Sequence, residues 1–271
     1  MLGIKIHQNL NEISLNQQHF TESLLKLYGM AQCESVATPL LPHEHLLLSS
    51  DKEREDFKKL KINYRSAMGS INYLSVATRP DISFAVSALS QYLDKPGINH
   101  WNAFLHVLRY LRGSQELGVI YKTNCKTVIE AYSNADWGNC RATRRSVTGY
   151  LISFHNCALI CKARKQSTVS IPTAEAEYKA LCDLMSELLW LKQLCEEAKI
   201  TKISQPIVIW EDNQSCIKIA NDDCNFNNKR MKHVDIQLHF IKEVIKAKII
   251  NLQYKPTNEM LANFLTNSVS R

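Results

Sequence analysis

The spacing of hydrophobic and polar residues changes twice along the chain and divides it into three stretches. The first stretch, residues 1–51, predicts two short strands, a helix and a linker in that order, over residues 2–6, 13–15, 20–28 and 38–50. Gly29 follows the helical pattern directly, as expected of a residue that ends a helix. Prolines among histidines and serines indicate the linker.

Helical spacing dominates the second stretch, residues 52–125. Apolar and aromatic side chains recur every three or four positions in three stripes, over residues 64–74, 82–93 and 101–111. Pro80 separates the first stripe from the second, since proline is tolerated only in the first turn of a helix. The stripes indicate faces that pack into a core, and they predict a mostly helical domain.

The third stretch, residues 126–271, begins with strands and then alternates between strands and helices. Its strands are predicted over residues 127–133, 147–154, 158–162, 206–210 and 249–255, and a further strand at 117–121 precedes them. Its helices are predicted over residues 173–198, 213–221, 231–246 and 258–266. Three consecutive strands followed by alternating units imply an α/β fold with a five-stranded mixed sheet and helices on both faces.

The composition is typical of a folded protein outside the secretory pathway. Apolar residues make up 45% and charged residues 22% of the 271 residues, as in ordinary globular domains. No apolar run reaches the roughly 18 to 20 residues of a membrane helix, and the first residues lack the apolar core of a signal peptide. We therefore expect a cytoplasmic or nuclear protein that is not secreted and has no membrane partner.

The cysteines and histidines lack the spacing of a zinc site. Nine cysteines without an export signal predict reduced thiols, and no C-x-x-C pair occurs among them, Cys157 and Cys161 being the closest two. His233 and His239 are six residues apart, so they fall on different faces of the predicted helix.

A basic excess gives the chain a net charge of +7. This charge is compatible with a nucleic acid partner but does not establish one, because many basic proteins bind no polyanion. Arg141, Arg144 and Arg145 cluster after the first strand of the third stretch. Two interpretations stay open for these arginines, namely contacts to a phosphate backbone or plain solvent-exposed charge.

Acidic residues lie at two places where an α/β sheet collects functional groups. Glu177 is in the first turn of the long predicted helix, and Asp212 directly follows the central strand. Each also has a structural interpretation, since Glu177 suits the positive end of the helix dipole and Asp212 can cap the next helix.

Motifs over nearly the whole chain match one known family in their order. They include Leu2-Gly3-Ile4, Thr38-Pro39-Leu40, Ala77-Thr78-Arg79-Pro80-Asp81, Glu175-Ala176-Glu177-Tyr178, Asp212-Asn213-Gln214-Ser215 and Lys232-His233-Val234-Asp235. With them the chain resembles the C-terminal part of the Pol polyprotein of copia-type LTR retrotransposons. The resemblance implies that residues 1–51 are a truncated reverse-transcriptase tail, residues 52–125 a helical connection and residues 126–271 a ribonuclease H-like domain.

The resemblance also implies a nuclease chemistry. Ribonuclease H domains of this family cut the RNA strand of RNA–DNA hybrids with two divalent metal ions, Mg²⁺ or Mn²⁺, held by four carboxylates. Glu177 and Asp212 match two of the four acidic positions, whereas Asn134 and Asn263 stand where the family has aspartate. Asparagine offers an amide oxygen but no charge, so the resemblance implies an impaired metal site.

Three neighbouring acids are candidates to replace the two missing carboxylates. Asp136 faces the same way as the first asparagine on an ideal strand, but about 6 to 7 Å further along. Glu175 points to another side of its helix, and Glu211 is expected on the opposite face of the sheet from Asp212. We therefore predict weak binding of one ion through Glu177 and Asp212, with Asp136 as a further ligand if the backbone shifts.

Two functional hypotheses fit these residues. The chain is a ribonuclease H-type enzyme by descent, or it is a non-catalytic module that binds nucleic acid or another partner. The family's polymerase motif, Tyr-x-Asp-Asp, lies upstream of the stretch that Leu2-Gly3-Ile4 matches, so no polymerase site is expected. The chain would then be the terminal piece of a broken element.

Overall fold

The computed structural model describes residues 3–41, 46–122, 129–138, 143–170, 173–200, 203, 205–221 and 235–267. The chain divides into two compact units. The first contains residues 1–126, 155–161 and 267–271, and the second contains residues 127–154 and 162–266.

The first unit combines a small antiparallel sheet with several helices. Its strands are β1 (Lys5–Gln8), β2 (Glu12–Asn16) and β3 (Gly118–Lys122). Its helices are α1 (Gln18–Leu27), α2 (Asp51–Lys59), α3 (Tyr64–Ala77), α4 (Ser83–Ser90) and α5 (Ile98–Gly113), with a 3-10 turn at Pro80–Ile82. β2 is the middle strand, with Leu15 opposite Ile6 on one side and Val119 on the other.

Local side-chain and backbone chemistry sets the ends of these helices. Ser50 and Glu53 form a capping box at the start of α2, and the Asn63 side chain caps α3. Gly29 follows α1 in the left-handed conformation at φ 69°, and the next amide donates to Leu25 O at 2.7 Å. The predicted helix end at Gly29 is therefore confirmed.

The faces that the three stripes predicted form the core of the first unit. Its buried members include Ile71, Leu74, Leu89, Phe104 and Leu108. Phe104 also stacks on Trp101, with ring centroids 4.8 Å apart. The interpretation of the stripes as core faces is confirmed.

The second unit is built around a five-stranded mixed sheet. The sheet comprises β4 (Ile129–Asp136), β5 (Val147–Phe154), β6 (Cys157–Lys165), β7 (Ile207–Glu211) and β8 (Ile250–Tyr254). Only residues 162–165 of β6 belong to the second unit. In space the strands run β6-β5-β4-β7-β8, and β4 pairs antiparallel with β5 but parallel with β7, which in turn is parallel to β8. The predicted α/β class and five-stranded mixed sheet are confirmed.

Different elements cover the two faces of this sheet. The helices are α6 (Thr173–Glu197), α7 (Gln214–Asn221) and α8 (Asp235–Lys246). On one face the Tyr150 hydroxyl donates to Glu187 of α6 at 3.2 Å, whereas the neighbouring Gly149, on the other face, lies against Thr266. Among the residues that the structure describes, no helix has both the length and the apolar character that a membrane crossing requires.

The predicted last helix, over residues 258–266, is instead two 3-10 turns. They span Thr257–Glu259 and Leu261–Leu265. Met260 between them is extended, at φ −76° and ψ 106°, and so interrupts the helical hydrogen bonds. The predicted residues 2, 42–45, 127–128 and 231–234 lie outside the described residues.

Candidate metal centre

Polar groups from four segments meet at one edge of the five-stranded sheet. β4 and β7 are parallel, so their carboxyl ends lie at the same edge. Asn134 is near the end of β4, and Glu211 and Asp212 lie at the end of β7. Glu177 comes from the first turns of α6, and the C-terminal 3-10 turns complete the site.

Glu177, Glu211 and Asp212 form an acidic cluster. One carboxylate oxygen from each lies within 4.8 Å of the other two. Glu177 is 6% exposed and Glu211 is fully buried, whereas Asp212 is partly exposed. Oε2 of Glu177 and Oε2 of Glu211 are buried without a hydrogen-bond partner.

The acidic cluster shifts the pKa values of its own members. Burial raises the pKa of Glu177 well above its usual range, and the nearby charges of Glu211 and Asp212 raise it further. Burial likewise raises the pKa of Glu211, although the Asn213 amide, which donates to Glu211 Oε1 at 3.2 Å, offsets part of the rise. The Ser133 hydroxyl lies near Glu211 and also lowers the pKa of that carboxyl group, although Ser133 Oγ forms no hydrogen bond in the structure. The three carboxyl groups therefore favour either a bound cation or protonation.

Asn134 and Asn263 form a hydrogen-bonded amide pair. Asn134 Nδ2 donates to Asn263 Oδ1 at 2.7 Å and to Thr266 Oγ1 at 3.0 Å. Asn263 in turn donates its own Nδ2 to Thr257 O. Asn134 is 7% exposed, so these bonds satisfy an almost fully buried amide.

A single threonine connects the acidic cluster with the amide pair. Thr257 Oγ1 donates to Asp212 Oδ2 at 2.7 Å, while its carbonyl oxygen accepts from Asn263. The structure thus brings together Asn134, Glu177, Asp212 and Asn263, the four positions selected from the sequence. The acidic cluster offers the hard oxygen ligands that Mg²⁺ and Mn²⁺ prefer, whereas the amide pair offers no anionic oxygen.

The prediction that Glu211 faces away from this site is wrong. Glu211 follows the alternation of β7 and lies with Ile207 and Ile209 on the buried face. The chain bends directly after the strand, so the alternation ends before Asp212 and both carboxylates reach Glu177. The signal in the sequence was an acid at the end of an otherwise apolar strand, where a buried charge needs a partner.

The other two neighbouring acids, Glu175 and Asp136, lie outside the acidic cluster. Glu175 is paired with Lys179 Nζ at 2.6 Å, in agreement with the expectation that it points elsewhere. Within the described residues, Asp136 is not part of the group of acids that share the 4.8 Å distance. Its charge still contributes to the raised pKa of Glu177, as the weakest of the named causes.

Two of the three selected arginines lie in the segment that follows β4. Arg144 and Arg145 are both exposed, and neither forms an ion pair within the described part of the chain. Arg141 lies outside the described residues, as does His233, so the spacing argument for His239 stays a prediction.

The whole chain aligns with Pol polyproteins of transposons. It is 32% identical over 275 residues to the retrovirus-related Pol polyprotein from transposon TNT 1-94 of Nicotiana tabacum. It is 33% identical over 270 residues to the corresponding polyprotein from transposon RE2 of Arabidopsis thaliana. Both alignments cover 100% of this chain but only 20% and 18% of the relatives, so the chain spans about a fifth of their length.

A solved ribonuclease H1 structure, LC11-RNase H1 isolated from compost, is also similar to part of the chain. The match has 13% sequence identity and a TM-score of 0.34, and it covers 52% of this chain and 93% of that one. No protein-family model matches the chain.

Proposed function

Because the chain belongs to the retrovirus-related Pol polyproteins of copia-type transposons, we propose that its second unit binds RNA–DNA hybrids and hydrolyses their RNA strand weakly or not at all. The observation that carries the proposal is the amide pair. Asn134 and Asn263 bind each other at 2.7 Å at the two positions where the family has aspartates. The site therefore lacks half of the anionic ligands that the family pattern requires.

The chemistry of the family explains why this loss matters. Two divalent cations, when bound, stabilise the attacking and the leaving oxygen around one phosphate. Glu177 and Asp212 provide anionic oxygens for such an ion, but Asn134 donates both of its described hydrogen bonds through an N–H group. An N–H group repels a cation, so the amide pair does not fit a second ion.

Binding of a hybrid is supported by charge rather than by the acids. Arg144 and Arg145 are exposed beside the end of β4, and the chain carries a net charge of +7. Such arginines can contact phosphates without reading the base sequence. The proposed setting is the cytoplasm or the nucleus, where the cysteines would stay reduced.

Cleavage and binding of a labelled RNA–DNA hybrid test the proposal separately. The full chain is compared with the double variant Asn134→Asp/Asn263→Asp in Mg²⁺ or Mn²⁺, and Asn251→Asp on β8 serves as the matched control. We expect all three proteins to bind the hybrid, and the double variant to cleave at least about tenfold faster than the other two.

The outcomes separate the two functional hypotheses. Efficient cleavage by the unaltered chain would contradict the impairment, and a folded chain that does not bind the hybrid would contradict hybrid binding. A double variant that binds but stays inactive would favour the non-catalytic module, since the lost ligands would then not be the only damage.

A further inference from the structure

We infer that Glu177, Glu211 and Asp212 hold one divalent cation, with Glu211 as a ligand that the four-position pattern of the family does not contain. The three residues come from α6 and from the end of β7, and one oxygen from each lies within 4.8 Å of the others. The inference does not depend on nucleic-acid binding, because it concerns the protein and the ion alone.

Two orphaned oxygens point to a ligand in this place. Oε2 of Glu177 and Oε2 of Glu211 are buried and have no hydrogen-bond partner. Glu177 is 6% exposed and Glu211 is 0% exposed, so solvent water does not supply hydrogen bonds to these two oxygens. A buried polar atom without a partner is destabilising, and a cation shared by both oxygens would satisfy them together.

The donor set determines the class of ion. Carboxylate oxygens without nitrogen or sulfur ligands favour hard cations such as Mg²⁺, Mn²⁺ or Ca²⁺. Three carboxylates also supply more negative charge than the two that the sequence assigned to the ion. Water completes the coordination on the side of Asp212, which is the partly exposed member.

The neighbouring amide pair limits the site to one ion. Asn134 directs its Nδ2 towards Asn263 Oδ1 and Thr266 Oγ1, so the positive end of its amide dipole occupies this side of the site. Thr257 Oγ1 donates a hydrogen bond to Asp212 Oδ2, so this oxygen already has a partner and is less available to a second ion. The remaining free anionic oxygens belong to the acidic cluster.

A purely structural role for Glu211 makes a different prediction. Glu211 Oε1 accepts from the Asn213 amide at 3.2 Å and could simply brace the turn after β7. In that case the protonated carboxyl and its glutamine replacement would be equivalent, and divalent ions would affect neither. Metal binding by the variant therefore distinguishes a ligand from a brace.

The test measures Mn²⁺ binding by the full chain through loss of the free-ion EPR signal, with Mg²⁺ as competitor. Glu211→Gln keeps the shape and removes the charge, and Asp212→Asn is a second variant at a more exposed position. Glu175→Gln is the matched control. Glu175 is a buried acid on α6, the helix that carries Glu177, but it is paired with Lys179. Thermal unfolding with and without Mg²⁺ provides a second readout.

We expect one Mn²⁺ per chain for the unaltered protein and for Glu175→Gln. Loss of an indirect metal partner already weakens binding about ten- to a hundredfold, so we expect at least about tenfold weaker binding for Glu211→Gln and Asp212→Asn. Mg²⁺ should raise the unfolding temperature of the unaltered chain and leave that of Glu211→Gln unchanged. Unchanged Mn²⁺ affinity in Glu211→Gln, no binding by the unaltered chain, or two ions per chain would each overturn the inference.

Discussion

Aspartates at positions 134 and 263 would repel each other unless a cation lay between them, whereas the present amides attract each other directly. Asn134 acts as the donor and Asn263 as the acceptor, and Thr257 O fixes the direction by accepting from Asn263 Nδ2. At the scale of single residues, the change thus replaces a contact that needs metal with one that needs none. The pair now joins β4 to the C-terminal turns whether or not an ion is present.

The direction of this hydrogen bond predicts unequal effects of the two single substitutions. Asn134→Asp removes both donated bonds and places a carboxylate against Asn263 Oδ1, so we expect it to lower the free energy of unfolding by about 1 to 3 kcal/mol. Asn263→Asp keeps an acceptor for Asn134 but turns an oxygen towards Thr257 O, at a more exposed place where water can lie between the two oxygens, so we expect a smaller loss of about 1 kcal/mol or less. Urea unfolding in EDTA measures both, and equal losses would contradict the assigned direction.

His100 is a buried histidine whose neutral form the structure requires. Its Nδ1 accepts from the Gly97 amide at 3.1 Å, and its Nε2 lies 2.9 Å from Leu47 O, so the proton is on Nε2. A second proton on Nδ1 would face the Gly97 N–H group. Burial lowers the pKa of His100 below its ordinary value of 6.5, partly offset by the Leu47 carbonyl and by Glu53.

This lowered pKa predicts how stability depends on pH in the first unit. The unfolded chain takes up the proton at a higher pH than the folded chain, so the contribution of neutral His100 to stability is complete above about pH 6.5 and is lost as the pH falls from there through the lower pKa of the folded chain. His100→Gln can keep the bond to Gly97 without titrating, so we expect a smaller loss of stability between pH 7 and pH 5. The urea midpoints of unfolding at the two pH values measure this loss, and His7→Gln, a substitution of an exposed histidine, is the control. Equal pH profiles for His100→Gln and the unaltered chain would refute the assignment.

At the scale of elements, β5 and the C-terminal turns pack closely at a glycine. A Cβ atom on Gly149 would lie 2.6 Å from Thr266 Cγ2, 2.9 Å from Leu265 Cβ and 3.2 Å from Ala262 O. These distances leave no room for a methyl group unless the turns move away from the sheet. Because Asn134 is the cross-strand partner of Gly149, such a movement would also loosen the amide pair.

We therefore expect Gly149→Ala to lower the free energy of unfolding by about 1 to 3 kcal/mol. The matched control is Gly69→Ala on the exposed side of α3, where a Cβ atom meets nothing within 4 Å. That substitution should raise the free energy of unfolding by about 0.5 to 1 kcal/mol, because glycine is a poor helix former. A neutral Gly149→Ala would mean that the turns adjust freely, and the amide pair would then contribute little to the edge of the sheet.

The elements were more accessible to sequence reasoning than the site they build. Periodicity predicted the helical stripes and the five strands, because burial of one face imposes a repeat over many residues. The place of Glu211 in the acidic cluster could not be predicted, because it depends on a single bend after β7 that leaves no repeat in the sequence. The prediction of a final helix was wrong for a similar reason, since one extended residue, Met260, divides this segment into two 3-10 turns. The motif positions Asn134 and Asn263 could be selected, but not the hydrogen bond between them.

At the scale of the whole molecule, positive charge and the acidic cluster act on different ligands. The net charge of +7 attracts a polyanion over a distance set by the salt concentration, whereas the buried acids act only at contact. The acidic cluster would repel phosphates unless it held a cation. Binding of a hybrid should consequently depend on monovalent salt through the arginines and on divalent ions through the acids.

The salt dependence of binding predicts a direct count of phosphate contacts. If Arg144 and Arg145 each contact a phosphate, Arg144→Ala/Arg145→Ala should weaken hybrid binding and reduce the slope of log K against log salt by about one unit per arginine. Arg164→Ala is the matched control, since its charge is already paired with Asp183 at 2.6 Å and its loss should leave the slope nearly unchanged. Fluorescence anisotropy with a labelled hybrid over a range of KCl concentrations gives the slopes. An unaltered slope in the double variant would identify these arginines as solvent-exposed charge and move the hybrid-binding surface elsewhere on the chain.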